Sequence, residues 1–238
     1  MKMAKTIKLE RLTKETQVKV QLLLEPGFVQ VDTGVGFLNH LVTSLAFHAG
    51  WSLRLFCKGD LDVDDHHSAE DCAIALGLAF RSAYELEESK ARFGYAFAPL
   101  DEALARAVVD LSGRPYFEGD LDLTGQMLGT LATENVAHFL RSFAQNAALT
   151  LHVDVLRGKN DHHKAEAAFK ALALAIQNAL LPIPRIQREA ANEVLSAKGG
   201  CTSGWGNEST KGKVQTSIQV LDSNQMSDSE IERDEEPL

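Results

Sequence analysis

The chain has 238 residues, 45% of them apolar and 24% charged, and a formal charge of −9. That balance is typical of a water-soluble globular protein with a substantial core, and its acidity argues against nucleic acid as the main ligand. Three scattered cysteines (Cys57, Cys72, Cys201) make no disulfide framework, no apolar run approaches membrane-spanning length, and Met1 to Glu10 lacks a secretory or transit pattern. The expected setting is therefore the cytosol, without membrane partners.

Taken in chain order, Lys5 to Thr13 and Thr16 to Glu25 alternate or run apolar with β-branched residues, as strands do. Gly36 to Gly50 has apolar residues at helical spacing and ends on a glycine. Trp51 to Lys58 alternates again, and the stretch from His67 to about Leu86 is helical. Glu87 to Leu100 reads as a connection. Leu104 to Leu111 and Tyr116 to Leu123 then read as strands about a Ser112–Pro115 turn, Glu134 to Ala147 as a helix, Leu149 to Leu156 as a strand and His163 to Leu180 as a long alanine-rich helix. The pattern is strand, strand, helix, strand, helix, written twice: an α+β chain with halves at 1–94 and 95–199. The remainder, 200–238, has three basic and eight acidic residues among polar ones, and its composition predicts a disordered acidic tail.

The duplication is sharper in the chemistry. His40 precedes Asp65-His66-His67-Ser68-Ala69-Glu70, and His138 precedes Asp161-His162-His163-Lys164-Ala165-Glu166. Both copies read H, then DHH, then Glu three residues after the second His. A single His is ordinarily a polar surface residue or a satisfied core residue. Two copies of H…DHHxxE, each opening a helix after an apolar strand, point instead to metal. On a helix the first His and the Glu of each motif lie four apart and share a face. Adjacent histidines diverge by about 100°, so one pair can serve two different ions. Six His and two Glu supply four ligands to each of two ions. Imidazole with carboxylate and no thiolate suits Mn, Fe, Zn or Co. Asp65 and Asp161 fit two roles, accepting from a ligand imidazole or capping the helix.

At these residues the sequence resembles the imidazoleglycerol-phosphate dehydratase family. The likeness covers about Thr13 to Gly199 and rests on Asp32-Thr33-Gly34-Val35-Gly36-Phe37-Leu38, Gly59-Asp60-Leu61, both DHH segments, Arg92-Phe93-Gly94, Pro99-Leu100-Asp101-Glu102-Ala103, Val109-Asp110-Leu111-Ser112-Gly113-Arg114-Pro115 and Leu156-Arg157-Gly158-Lys159-Asn160. The resemblance implies a ribosomal protein S5 domain 2-like fold, in which the helices of the two halves lie between two sheets. It implies a lyase of histidine biosynthesis that dehydrates imidazole glycerol phosphate to imidazole acetol phosphate, a small-molecule phosphate substrate. It further implies two Mn ions per active site and self-association into a homo-oligomer of 24 subunits with sites at the interfaces.

By family position one metal takes His40, His67, His162 and Glu166, and the other takes His66, Glu70, His138 and His163. The ligands of each set need not come from one subunit. The proton to be removed has no neighbouring carbonyl to acidify it, so an imidazole ring held between two cations provides the electronic route. Glu15 is implied as the proton shuttle, although by itself it reads as a solvated strand charge. His48, Arg92 and Arg114 are implied substrate contacts, the arginines for phosphate. For the family's phosphate loop, Ser196 and Lys198 are preferred on spacing over Ser209 and Lys211, which match the letters but lie too far along.

Two departures stand out. Asn39 replaces the Asp that usually precedes the metal-binding His, which removes a charge while keeping an acceptor oxygen. The 200–238 extension is the second, since the family usually stops soon after its phosphate loop. Two other functions fit the same ligand types, a dinuclear metal hydrolase releasing phosphate and a non-catalytic metal-bridged assembly.

Overall fold

The computed structural model describes residues 5–87, 89–183 and 214–222. The first half runs β1 (Lys5–Leu12), β2 (Thr16–Leu23), β3 (Val29–Asp32), α1 (Gly36–Ala49), β4 (Ser52–Gly59) and α2 (His66–Glu85). The second runs β5 (Phe93–Leu100), β6 (Ala103–Asp110), β7 (Tyr116–Asp120), a small β8–β9 pair (Met127–Leu128, Leu131–Ala132), α3 (Thr133–Asn146), β10 (Thr150–Arg157) and α4 (Asp161–Leu180). The strand orders β1-β2-β4-β3 and β5-β6-β10-β7 are the same. In each half a hairpin pairs antiparallel with the strand after the first helix, and a short strand (β3 or β7) flanks that strand in parallel.

The class is α+β and the duplication holds, with two changes of detail. Each half has a third strand before its first helix, and 93–100, expected as a connection, is β5. The reason lies in its residues. Gly94, Ala96 and Ala98 alternate with Phe93, Tyr95 and Phe97, so the small side faces α4 and the aromatic side faces out. A Cβ on Gly94 would stand 1.9 Å from the Ala175 carbonyl oxygen, and an inward face this small carries little apolar signal in the sequence. Gly94→Ala should therefore force β5 and α4 apart and cost about 3 kcal/mol, read as a melting temperature several degrees lower.

The helices lie between the sheets. α2 packs on β1, β2 and β4, and α4 packs on β5, β6 and β10. Across the boundary α1 meets α4 and α2 meets α3. Alanines and one glycine permit the close approach: a Cβ on Gly77 would lie 2.8 Å from the Phe143 carbonyl oxygen. Each single-His helix is thus laid beside the His-pair helix of the other half, the arrangement on which the site depends.

A further strand, β11 (Gln215–Asp222), corrects the expectation that 200–238 is wholly disordered. It extends the first sheet by pairing antiparallel with all of β1, from Lys5↔Asp222 to Leu12↔Gln215, and Lys5 forms an ion pair with Asp222. Thr216, Ile218 and Val220 alternate with Gln215, Ser217 and Gln219, a period of two diluted by the polar composition around it. Residues 200–213 and 223–238 lie outside the described residues. Among the described residues no helix is long and apolar enough to cross a membrane.

Candidate metal centre

Two side-chain clusters form where the halves meet. In the first, His40 of α1 faces His162 and Glu166 of α4; in the second, His138 of α3 faces His66 and Glu70 of α2. Within each cluster one donor atom per residue lies within 4.8 Å of the others. His40 Nε2 is 2.8 Å and His162 Nε2 3.3 Å from Glu166 Oε2, and His138 Nε2 is 3.1 Å from Glu70 Oε1. The rings of His66 and His138 stack at 4.7 Å, and His66 turns its Nδ1 to Asn135 Oδ1 at 3.0 Å, which leaves its Nε2 facing the cluster. In both clusters the first His of the pair and the Glu act as one helical face, as their spacing of four predicts.

Glu166 is the most strongly conditioned carboxylate of the two clusters. Burial opposes its ionisation, but hydrogen bonds from Lys170 (2.7 Å, Nζ to Oε1) and His40 outweigh this and pull its pKa down to about 2. It is therefore an anion at any physiological pH. Lys170 was not picked out in the sequence, although it sits one turn beyond Glu166 on the same face. Burial and the Lys170 charge also lower the pKa of His48, which lies on α1 two turns beyond His40.

The second His of each pair lies outside the clusters. His67 Nδ1 is 3.0 Å from Asp60 Oδ2, and His163 Nδ1 is 2.7 Å from Glu102 Oε2. The hydrogen bond to its carboxylate raises the pKa of each ring. The divergence of neighbouring histidines expected from helix geometry is thus present, and one chain brings together three of the four ligands implied for each ion.

Asp65 and Asp161 serve neither of the roles considered for them. Asp65 accepts from the Ala132 amide (2.7 Å) and Asp161 from the Thr124 and Gly125 amides (2.9 and 2.7 Å), so Asp65 pins the junction of β9 with α3 and Asp161 the loop before β8. Asp64 and Asn160 take the helix starts, accepting from the amides of His66 and His162 at 2.8 and 2.9 Å. Asn39 directs its Oδ1 at the amide and hydroxyl of Thr33 (2.8 and 2.6 Å). At this position the retained acceptor oxygen holds the loop before α1.

Glu15 ends the β1–β2 turn. The hydroxyls of Thr13 and Thr16 both reach Asp71 of α2, and Arg11 pairs with Asp71 at 3.1 Å, so the turn is tied to the helix that carries Glu70. The Glu15 carboxylate is exposed, has no hydrogen-bond or ion-pair partner among the described residues, and lies near enough to His67 to act on its charge.

Arg92 and Arg114 converge on Asp110. Arg92 reaches it through Nε at 2.7 Å and Nη2 at 3.1 Å, and Arg114 Nη2 lies 3.7 Å away. They do not meet the clusters within the chain. The Arg92 amide bonds the Ala179 carbonyl at the far end of α4, whereas His162 begins that helix. At 1.5 Å per residue the two are roughly 25 Å apart, more than twice the length of a small phosphorylated metabolite. His152 sits on the outer sheet face beside Tyr116 (5.8 Å between rings), remote from this chemistry. Ser196, Lys198, Ser209 and Lys211 lie outside the described residues.

Fold and site together define a class, a duplicated α+β enzyme with two His/Glu clusters suited to divalent metal at the junction of its halves. The family model for Imidazoleglycerol-phosphate dehydratase matches residues 33–176. The imidazoleglycerol-phosphate dehydratase of Phaffia rhodozyma is 51% identical over 201 residues, covering 82% of this chain and 95% of its own. That of Saccharomyces cerevisiae is 51% identical over 186 residues, covering 78% and 82%. The crystal structure of the Staphylococcus aureus enzyme superposes with a TM-score of 0.67 at 38% identity, covering 74% of this chain and 99% of that one. The chain belongs to the imidazoleglycerol-phosphate dehydratase family, and it is a dehydratase of histidine biosynthesis.

Proposed function

We propose that the chain converts imidazole glycerol phosphate to imidazole acetol phosphate and water in the cytosol, with two Mn ions per active site, as a homo-oligomer of 24 copies. The observation that carries this reading is the division of the site. Each cluster holds three ligands, His67 and His163 stand outside the clusters, and the arginine pair lies at the opposite end of α4. A site that needs all of these elements is assembled between copies. One ion would be held by His40, His162 and Glu166 with His67 of a neighbouring copy, the other by His66, Glu70 and His138 with a neighbour's His163. The donor set fits Mn: imidazoles and carboxylates converge, and among the described residues no cysteine belongs to either cluster.

When bound, the ions supply Lewis acidity and a template for the substrate's imidazole ring. The chain does the rest. Arg92 and Arg114, with Ser196 and Lys198, bind the phosphate, and a bidentate guanidinium is the group best shaped for it. His48 and Lys170 border the first cluster on the substrate side. The hydroxyl leaves the carbon attached to the ring, Glu15 takes the proton from the neighbouring carbon, and the resulting enol tautomerises to the ketone.

The direct test is to follow imidazole glycerol phosphate with metal-free protein and again after adding Mn²⁺, measuring acetol phosphate and free phosphate together. Manganese-dependent acetol phosphate without phosphate release is the expected result. Phosphate release would instead favour a dinuclear hydrolase.

A further inference from the structure

The hairpin turns and post-strand loops of the two halves occupy corresponding places but carry different residues. Glu15 immediately precedes β2 and Glu102 immediately precedes β6, so the two glutamates are equivalent under the duplication. Asp60 follows Gly59, whose counterpart in the second half is Gly158, so the position corresponding to Asp60 is Lys159. The two glycines are matched by their surroundings, since a Cβ would meet Ser68 and Thr16 in the first half and Lys164 and Ala103 in the second, so the second half carries a lysine where the first carries the Asp60 carboxylate. The partners of the exposed histidines follow this asymmetry. In the second half Glu102 is fully engaged: Oε1 accepts from the Lys159 and Asn160 amides (3.1 and 2.9 Å), and Oε2 faces His163 Nδ1 at 2.7 Å. In the first half Asp60 takes His67 Nδ1 (3.0 and 3.2 Å), and the Glu15 carboxylate is left without a partner among the described residues.

We infer that Asp60 and Glu102 are positioning residues with one task reached from different places in the two halves. Each holds the second histidine of its motif through Nδ1 and leaves Nε2 as the donor; that of His163 lies 3.8 Å from the exposed Asp101 carboxylate. Because Asp60 does this for His67, Glu15, the duplicate of Glu102, remains unengaged. The inference rests on the proposed role of His67 and His163 as metal ligands. Its physical basis is general: a carboxylate on one imidazole nitrogen fixes the ring orientation and makes the other nitrogen the donor.

Manganese titration of the metal-free full-length protein tests it, with affinity rather than turnover as the readout. Asp60→Ala should weaken one manganese site by about 10- to 100-fold and leave the other unchanged, and Glu102→Ala should do the converse. Asp60→Asn keeps an acceptor oxygen for Nδ1–H and should restore affinity to within about threefold of wild type; a purely structural loss at Asp60 would not be rescued in this site-selective way. His67→Ala is the control that separates the two levels. If it weakens one site while Asp60→Ala leaves both intact, the positioning role is wrong and the metal reading stands. If His67→Ala leaves both sites intact, the metal reading itself fails and the inference goes with it.

Discussion

A chain carrying both His67→Ala and His162→Ala should bind about one manganese ion instead of about two, and its turnover should fall more than about a hundredfold even at saturating metal. Both substitutions strike the same proposed ion, although the two histidines belong to different halves and are not neighbours within the chain. The single variants allow a stronger version. The His67→Ala chain keeps His40, His162 and Glu166, and the His162→Ala chain keeps His67. Each should be nearly inactive alone, yet co-assembly from an equimolar mixture places an intact set at about a quarter of the interfaces. Activity should rise toward that fraction. Mixed assemblies, verified by mass, that remain as inactive as their parents would rule out ligand sets shared between copies.

Glu15→Gln should lower kcat by about a thousandfold while leaving manganese affinity and the melting temperature close to wild type. Glutamine keeps the shape of the side chain but cannot carry the proton. The turn itself does not depend on the Glu15 carboxylate, because Thr13, Thr16 and Arg11 secure it to Asp71. The loss should therefore fall on the chemical step rather than on folding or metal loading. A kcat within about tenfold of wild type would return Glu15 to the status of a solvated turn residue.

The two His/Glu clusters were legible because the spacing within each helix is local. A His and a Glu four apart on a helix share a face in any fold, and two copies of that arrangement cannot be missed. How the ligands assort was not readable from spacing, because it is set by α1 lying on α4 and α2 on α3, contacts made between halves. The groups that orient the exposed histidines were hidden for a related reason. Asp60 belongs to a loop and Glu102 to a hairpin turn 61 residues from its histidine, so neither shares a helical repeat with the ring it holds. Asp65 and Asp161 were misjudged because adjacency in sequence suggested a tie to the histidines or a helix cap, whereas both carboxylates reach across to backbone amides of the second half. β5 and β11 were overlooked for opposite reasons: the inward face of β5 is too small to read as core, and β11 is a short alternating window within a polar stretch.

The crossing of ligands between halves also bears on how such a chain could arise. Each cluster takes its lone histidine from one half and its His/Glu pair from the other. A half-length polypeptide associating as a symmetric pair would build the same two clusters, identical to each other, with no second sequence required. Joining two such copies end to end leaves that geometry intact while releasing the copies from sameness. Glu15 and Glu102, like Asp60 and Lys159, are what that release permits: an ancestral carboxylate position can be kept for holding a ring in one copy and turned to exchanging protons in the other.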